Sequence, residues 1–192
     1  MPIKSKAELT EFISQDAKAS NRNSTKASFL GDEIWKFQTN LRKLEYYSYR
    51  ATEHKFYILH KLLCKFKHHS MSIKLGFSIP INVFNMGLAI PHYGHIVVNA
   101  KARIGKNCRI HEGVNIGATN GSDKAPVIGN NVFIASGAKI IGDISIADDV
   151  CIGANAVIAK SITEPGTTWG GVPAKKISDN NSHSNLSKML FS

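Results

Sequence analysis

The sequence predicts a parallel β-helix preceded by an α-helical segment, and three observations carry that expectation. An aliphatic residue returns at every sixth position: Val98 is followed by Ile104, Ile110, Ile116, Ile128, Ile134, Ile140, Ile146, Ile152 and Ile158, and only Ser122 interrupts the series. The residue after the aliphatic is small in most repeats (Gly105, Gly117, Gly129, Ala135, Ala147, Gly153, Ala159), and four positions after it stands a second compact apolar residue such as Cys108, Val114, Val132, Ala138 or Val150. Gly and Asn recur together, as in Gly105 to Asn107, Gly129 to Asn131 and Gly153 to Asn155, and these residues enter tight bends cheaply.

A helix wants apolar residues about every 3.6 positions and a half-buried strand every 2, so a period of six is the mark of a repeat architecture. Two inward points per six residues fit a short strand and a corner. Three such sides close a triangular coil, and coils stacked at about 4.8 Å pair each strand with its equivalents above and below. The isoleucine column then forms a dry core.

Before the repeat, residues 1–75 read as a helical segment. Leu9, Phe12, Ile13 and Ala17 make one amphipathic stripe. A second helix is expected after Gly31, with Asp32 as N-cap and Ile34, Phe37, Leu41 and Leu44 on one face. A third is expected after Thr52, with Phe56, Leu59, Leu63 and Phe66 in a stripe. The open end of a solenoid exposes unpaired backbone groups and needs a cap, which makes it the natural partner of these stripes. His54, His60, His68 and His69 read as surface residues.

Residues 76–177 form the repeat domain, entered through GFSIPINVFNMGLAIPHYGHIV with Pro80 and Pro91 as corner signals. The stretch ATNGSDKAPV around Ser122 reads as a loop standing off the prism, and loops on a solenoid face are where binding residues concentrate. The tail, residues 178–192, is polar and expected to be mobile up to Leu186.

The 192-residue chain carries a net charge of +10. Residues 1–75 hold 14 Lys or Arg against 7 Asp or Glu, so most of the excess is at the front. A solvated basic helix face is the favoured reading, with a weak contact to an anionic membrane surface left open; no aromatic-interleaved nucleic-acid motif accompanies the charge. Three scattered cysteines, Cys64, Cys108 and Cys151, point to reduced thiols and a cytoplasmic location. The polar start leads us to expect no signal peptide, and no apolar run reaches the roughly 18 residues of a membrane span.

His92 stands where the six-residue register, extended backwards from Val98, would place an aliphatic residue. An imidazole in a core column is costly and suggests function; the alternative is that the register slips at Pro91 and leaves His92 outside. At neutral pH imidazole is the natural base for an alcohol proton.

The repeat series, His92 in IPHYGHIVV, and the segments HEGVNIGATNG, IGNNVFIASGAKIIG and WGGVPAKKI together resemble the hexapeptide-repeat acyltransferases, specifically the serine O-acetyltransferase branch and its compact relatives of polysaccharide biosynthesis. The resemblance covers residues 76–177. It implies a left-handed parallel β-helix, a homotrimer, and acetyl-CoA in the groove between neighbouring prisms. It implies His92 as catalytic base, backbone N–H groups near Gly117 for the oxyanion, Gly117, Ser136 and Ala154 along the pantetheine channel, and Lys160 and Lys175 near the nucleotide phosphates. No metal is implied.

The chain also departs from that branch. Pro91 stands where an Asp precedes the catalytic His, Lys124 and Ala125 replace an Arg-His pair, and Phe77 with Ser78 lies where an orienting Asp is expected. The acceptor is therefore serine or a sugar hydroxyl, and Asn85, Asn99, Glu112 or a main-chain carbonyl is left to orient His92. Two other readings are a metal site of the gamma-carbonic-anhydrase type drawing on His92, His95 and His111, whose spacing does not match, and a non-catalytic scaffold.

Overall fold

The computed structural model describes residues 2–119 and 121–191. Three helices lead the chain: α1 (Lys6–Ala19), α2 (Glu33–Glu53) and α3 (Ile58–Leu75). Thirteen short strands follow among the described residues: β1 (Phe77–Ser78), β2 (Ile96–Val98), β3 (Arg103–Ile104), β4 (Arg109–Ile110), β5 (Asn115–Gly117), β6 (Val127–Ile128), β7 (Phe133–Ile134), β8 (Lys139–Ile141), β9 (Ser145–Ile146), β10 (Cys151–Ile152), β11 (Val157–Ile158), β12 (Thr168–Gly170) and β13 (Lys175–Ser178). They form three faces, ordered β1-β2-β5-β8-β11, β3-β6-β9 and β13-β12-β10-β7-β4. Every pairing is parallel except β12 with β13, so the architecture is a parallel β-helix closed by an antiparallel edge strand.

The isoleucine column is the core. Ile110, Ile116, Ile134, Ile140 and Ile152 are fully buried, and the others in the series are nearly so. Ile128 pairs with Ile146, Ile134 with Ile152 and Ile140 with Ile158, each 18 residues on. One coil earlier the step is 24, with Ile104 on Ile128 and Ile110 on Ile134. The extra six residues are the excursion around Ser122, whose described residues 119–124 are exposed, so an insertion one repeat long leaves the phase intact.

At the corners the bend is taken by asparagines: Asn107, Asn131 and Asn155 have φ of 58°, 54° and 55°. The glycines beside them serve close packing of stacked coils instead. A Cβ on Gly105 would lie 2.6 Å from the backbone carbon of Gly129, a distance that real contacts do not reach.

The helices cap the open end differently from the expectation. Phe37 and Leu41 of α2 do join the core, but the backbone of the first coil is satisfied by buried charge. Asp16 of α1 accepts from the N–H groups of Gly87 and Leu88, both at 2.8 Å. Arg42 of α2 donates to Asp16, to Glu45 and to the carbonyls of Phe84 and Asn85. Glu45 in turn accepts from Asn82 N–H at 2.7 Å. Burial alone would lower the Arg42 pKa, but Asp16 and Glu45 beside it hold it above the ordinary value. Burial raises that of Glu45 despite Arg42.

Several local expectations are corrected. Asp32 sits at the N-cap position of α2 in a left-handed conformation and makes no capping bond. Its carboxylate binds Arg22 and the Ser28 N–H instead, and the Arg22 guanidinium holds its pKa down to about 2. Thr52 does not start a helix: α2 runs on to Glu53, and a 3-10 turn at Lys55–Tyr57 leads into α3. The stripe Phe56, Leu59, Leu63 and Phe66 is exposed rather than packed on the solenoid. His60 and His68 are half-buried, His60 stacked on Tyr47 and His68 on Phe37, with the His68 ring nitrogen 3.1 Å from the Ile79 carbonyl.

The tail is docked, not loose. Ser182, Leu186 and Ser187 are buried, Ser182 bonds to the Asn131 carbonyl, His183 lies 2.7 Å from Asp149, and Ser187 donates to Asn21 at 2.6 Å. No described helix is long and apolar enough to cross a membrane.

Candidate functional site

The register does slip at Pro91. Ala89 bridges Arg109, so Ile90, which is buried, takes the column position beneath Ile110. His92, two residues on, falls outside the column on an exposed turn. Of the two placements the sequence leaves open, the slip at Pro91 is the one the structure shows. The physical reason is the irregular first coil, whose strands pair 19 or 20 residues apart, as in Phe77 with Ile96 and Phe84 with Ile104.

Outside the prism His92 meets two residues of the next coil. Its ring centroid is 5.7 Å from that of His111, and ligand atoms of His92, His111 and Glu112 all lie within 4.8 Å of one another. His111 immediately follows Ile110 and is pinned edge-on against Phe133 at 5.2 Å. Arg109 Nε donates to His111 Nε2 at 3.3 Å. A guanidinium only donates, so that nitrogen accepts, and neutral His111 carries its proton on Nδ1, 3.9 Å from Glu112 Oε2. Burial lowers the His111 pKa, Arg109 and His92 lower it further, and Glu112 opposes them. A hydrogen bond from Ser136 holds Glu112 below the usual carboxylate range. Its Oε2, the oxygen 3.9 Å from His111 Nδ1, is shielded from solvent and makes no hydrogen bond among the described residues.

The register arranges the remaining predicted residues. Because Ile110, Ile134 and Ile152 are stacked, Glu112, Ser136 and Ala154 form one file along the corner that follows β4, β7 and β10. Ser136 and Ala154 thus continue the line that starts at His92 and Glu112. Gly117 ends β5 and Lys160 lies at the corner just after β11, across the face those strands build. Lys175 opens β13 on the edge of the third face, and Ala154, Lys160 and Lys175 are exposed. Gly117, Lys160 and Lys175 are not brought together with His92.

His95 stays outside the cluster, so the triple-histidine arrangement does not form. Glu112 takes that place, and sequence reading placed it only among several candidates for orienting His92. Two imidazoles and a carboxylate are a donor set that zinc accepts, but the 3.9 Å between His111 Nδ1 and Glu112 Oε2 exceeds the roughly 3.4 Å separating two ligands of one tetrahedral zinc. A cleft of about 410 Å³ opens beside the cluster, between α2 and the first coil, with Arg22, Glu33, Trp35, Pro91, Tyr93 and Arg109 in its walls. From the sequence His111 enters only as one of three metal-site histidines and Arg109 not at all; the available signal is that Arg109, His111 and Glu112 are three polar residues in four consecutive positions around Ile110.

Stacked six-residue repeats, each carrying a short strand, with functional groups gathered along a corner define a hexapeptide-repeat protein. Residues 125–160 match the family model described as bacterial transferase hexapeptide (six repeats). The chain is 33% identical over 125 residues to a serine acetyltransferase of Helicobacter pylori (strain J99), covering 64% of this chain and 71% of that one. It is 38% identical over 114 residues to a serine acetyltransferase of Staphylococcus epidermidis (strain RP62A), but spans only 53% of that relative's length. Among solved structures, serine acetyltransferase from Brucella abortus strain S19 in complex with coenzyme A superposes with a TM-score of 0.69 at 24% identity, over 92% of this chain and 70% of that one. The chain belongs to the serine acetyltransferase family of hexapeptide-repeat acyltransferases.

Proposed function

We propose that the protein transfers an acetyl group from acetyl-CoA to an alcohol, with His92 as general base. The observation that carries this reading is the cluster of His92, His111 and Glu112 at an open corner, ligand atoms of all three within 4.8 Å of one another. His92 removes the acceptor hydroxyl proton as that oxygen attacks the thioester carbonyl. Backbone N–H groups near Gly117 hold the oxyanion. The tetrahedral intermediate collapses, the C–S bond breaks, and the protonated His92 returns its proton to the CoA thiolate. Glu112 stays ionised, favours the imidazolium during the step, and stands in for the Asp that Pro91 and Ser78 do not supply.

In this reading the β-helix is left-handed, three copies associate, and the reaction is cytoplasmic. Residues 76–177 act as the transferase domain, with 1–75 as its helical lead and 178–192 as a tail. The pantetheine arm runs along Ser136 and Ala154 of one prism and meets Gly117 and Lys160 of its neighbour, because one face separates these two corners within a single chain. Lys160 and Lys175 meet the nucleotide phosphates as point charges.

A sugar hydroxyl is the acceptor we favour over serine. Lys124 is tied to Asp143 at 2.8 Å and Ala125 is buried, so neither stands free to grip an amino-acid carboxylate. Release of CoA thiol from acetyl-CoA, measured against serine and a panel of nucleotide sugars and free glycans, tests this. Sugar-dependent release that is lost in His92→Ala is expected. Release with serine alone would reassign the acceptor, and acetyl-CoA binding without release for any acceptor would make the protein a scaffold.

A further inference from the structure

The third helix divides into sectors that its place in the fold does not explain. At about 100° per residue, Ile58, Leu59, Leu62, Leu63, Phe66 and Ile73 fall within one arc of about 140°, and all six are exposed, Phe66 by 74% and Ile73 by 71%. The half-buried or buried side chains His60, Cys64, His68, Met71 and Leu75 occupy the opposite arc, towards α2 and β1. Lysines stand on both borders of the apolar arc, Lys61 and Lys65 on one side and Lys67 and Lys74 on the other. Phe56, 77% exposed, and Lys55 extend the pattern into the turn before the helix.

No counter-charge accompanies it. From His54 to His111 the chain has no Asp or Glu at all, and the last acidic residue before that stretch, Glu53, is paired with Arg50. A second copy docking its own α3 here would bring lysine rows against lysine rows, with no carboxylates to meet them. An exposed apolar stripe bordered by lysines whose methylene stems reach past the apolar side chains is the pattern of a helix lying in a lipid interface.

We propose that α3 is an interfacial helix that seats the protein on an anionic phospholipid surface, with Leu59, Leu63 and Phe66 entering the headgroup boundary and the four lysines meeting lipid phosphates. This does not depend on the reaction assigned above. The test is co-sedimentation of the full chain with vesicles of phosphatidylcholine containing phosphatidylglycerol, or of phosphatidylcholine alone. Binding to the anionic vesicles should exceed binding to the neutral ones by about tenfold or more and fall steeply between low and high salt. Leu63→Ser/Phe66→Ser and Lys61→Gln/Lys65→Gln should each lose about tenfold in binding, with circular dichroism unchanged because all four side chains are on the exposed or border arcs. Equal binding to both vesicle types, binding to neither, or a Leu63→Ser/Phe66→Ser chain whose mass by light scattering drops from that of a stable oligomer would overturn the proposal, the last by assigning the stripe to contact between copies.

Discussion

Arg42 Nε donates to Asp16 Oδ2 at 2.7 Å, and water reaches neither side chain. This pair, with Glu45, joins α1 and α2 to the first coil of the β-helix. Its carboxylates and guanidinium take the backbone groups that a solenoid end would otherwise leave unpaired and buried. A charged cap is costly to desolvate, so its worth lies in being complete.

Breaking that cap from one side should therefore be severe. Arg42→Leu removes five hydrogen bonds and strands two buried carboxylates, and a loss of about 3–5 kcal/mol in urea unfolding at pH 7 is expected. Arg42→Lys should recover only part of it, because a point ammonium cannot reach Asp16, Glu45 and two carbonyls in one plane. A loss under about 1 kcal/mol in Arg42→Leu would show that the cap is dispensable.

The His111 ring should titrate below its ordinary value of 6.5. Removing a neighbouring cation relieves the proton's repulsion, so Arg109→Gln should raise the midpoint; removing the carboxylate should lower it in Glu112→Gln. Ring chemical shifts followed by NMR across pH 4 to 8, about the span over which imidazole titrates, read both signs. The linked stability has a definite direction. The unfolded chain takes up the proton first, so the contribution of neutral His111 is present above about 6.5 and is lost as pH falls through the folded midpoint. A fall in Arg109→Gln or a rise in Glu112→Gln would overturn the arrangement of Arg109, His111 and Glu112.

Gly105→Ala tests the stacking of coils apart from any chemistry. The added methyl would meet Gly129 main chain at 2.6 Å, and main chain pinned on both sides by parallel strands cannot move away. A loss of about 1–3 kcal/mol is expected from thermal or urea unfolding. Gly121→Ala is the control, since nothing lies within 4 Å of its Cβ position, though its φ of +68° adds a strain of its own.

Period six was legible because each coil repeats the same inward geometry, and Ile104 to Ile158 record it residue by residue. The six-residue insertion was legible too, as a Ser122 in an otherwise aliphatic series. What the period does not reach was read less well. Before Val98 the coils carry 19 or 20 residues, so projecting backwards landed on His92 rather than on Ile90. Asp16 and Arg42 looked like ordinary polar positions on amphipathic helices, because their partners are main-chain groups some 40 to 70 residues away, at Phe84, Asn85, Gly87 and Leu88. Glu112 lay at hand as one candidate among several, and only the stacking of the coil that carries it beside the His92 turn singles it out.

His92 and Glu112 should separate by their kinetics. His92→Ala removes the base and should lower kcat about 10²- to 10⁴-fold, with acetyl-CoA affinity unchanged. Glu112 does not touch the reacting atoms in this reading, so Glu112→Gln should lower kcat by about tenfold or more, equivalent to about 1.4 kcal/mol in the barrier, and leave KM for acetyl-CoA in place. Glu112→Asp keeps the charge and should restore part of the rate. If instead Glu112→Gln raised KM for acetyl-CoA at constant kcat, the carboxylate would belong to the pantetheine channel with its neighbour Ser136, and the orientation of His92 would have to come from a main-chain carbonyl.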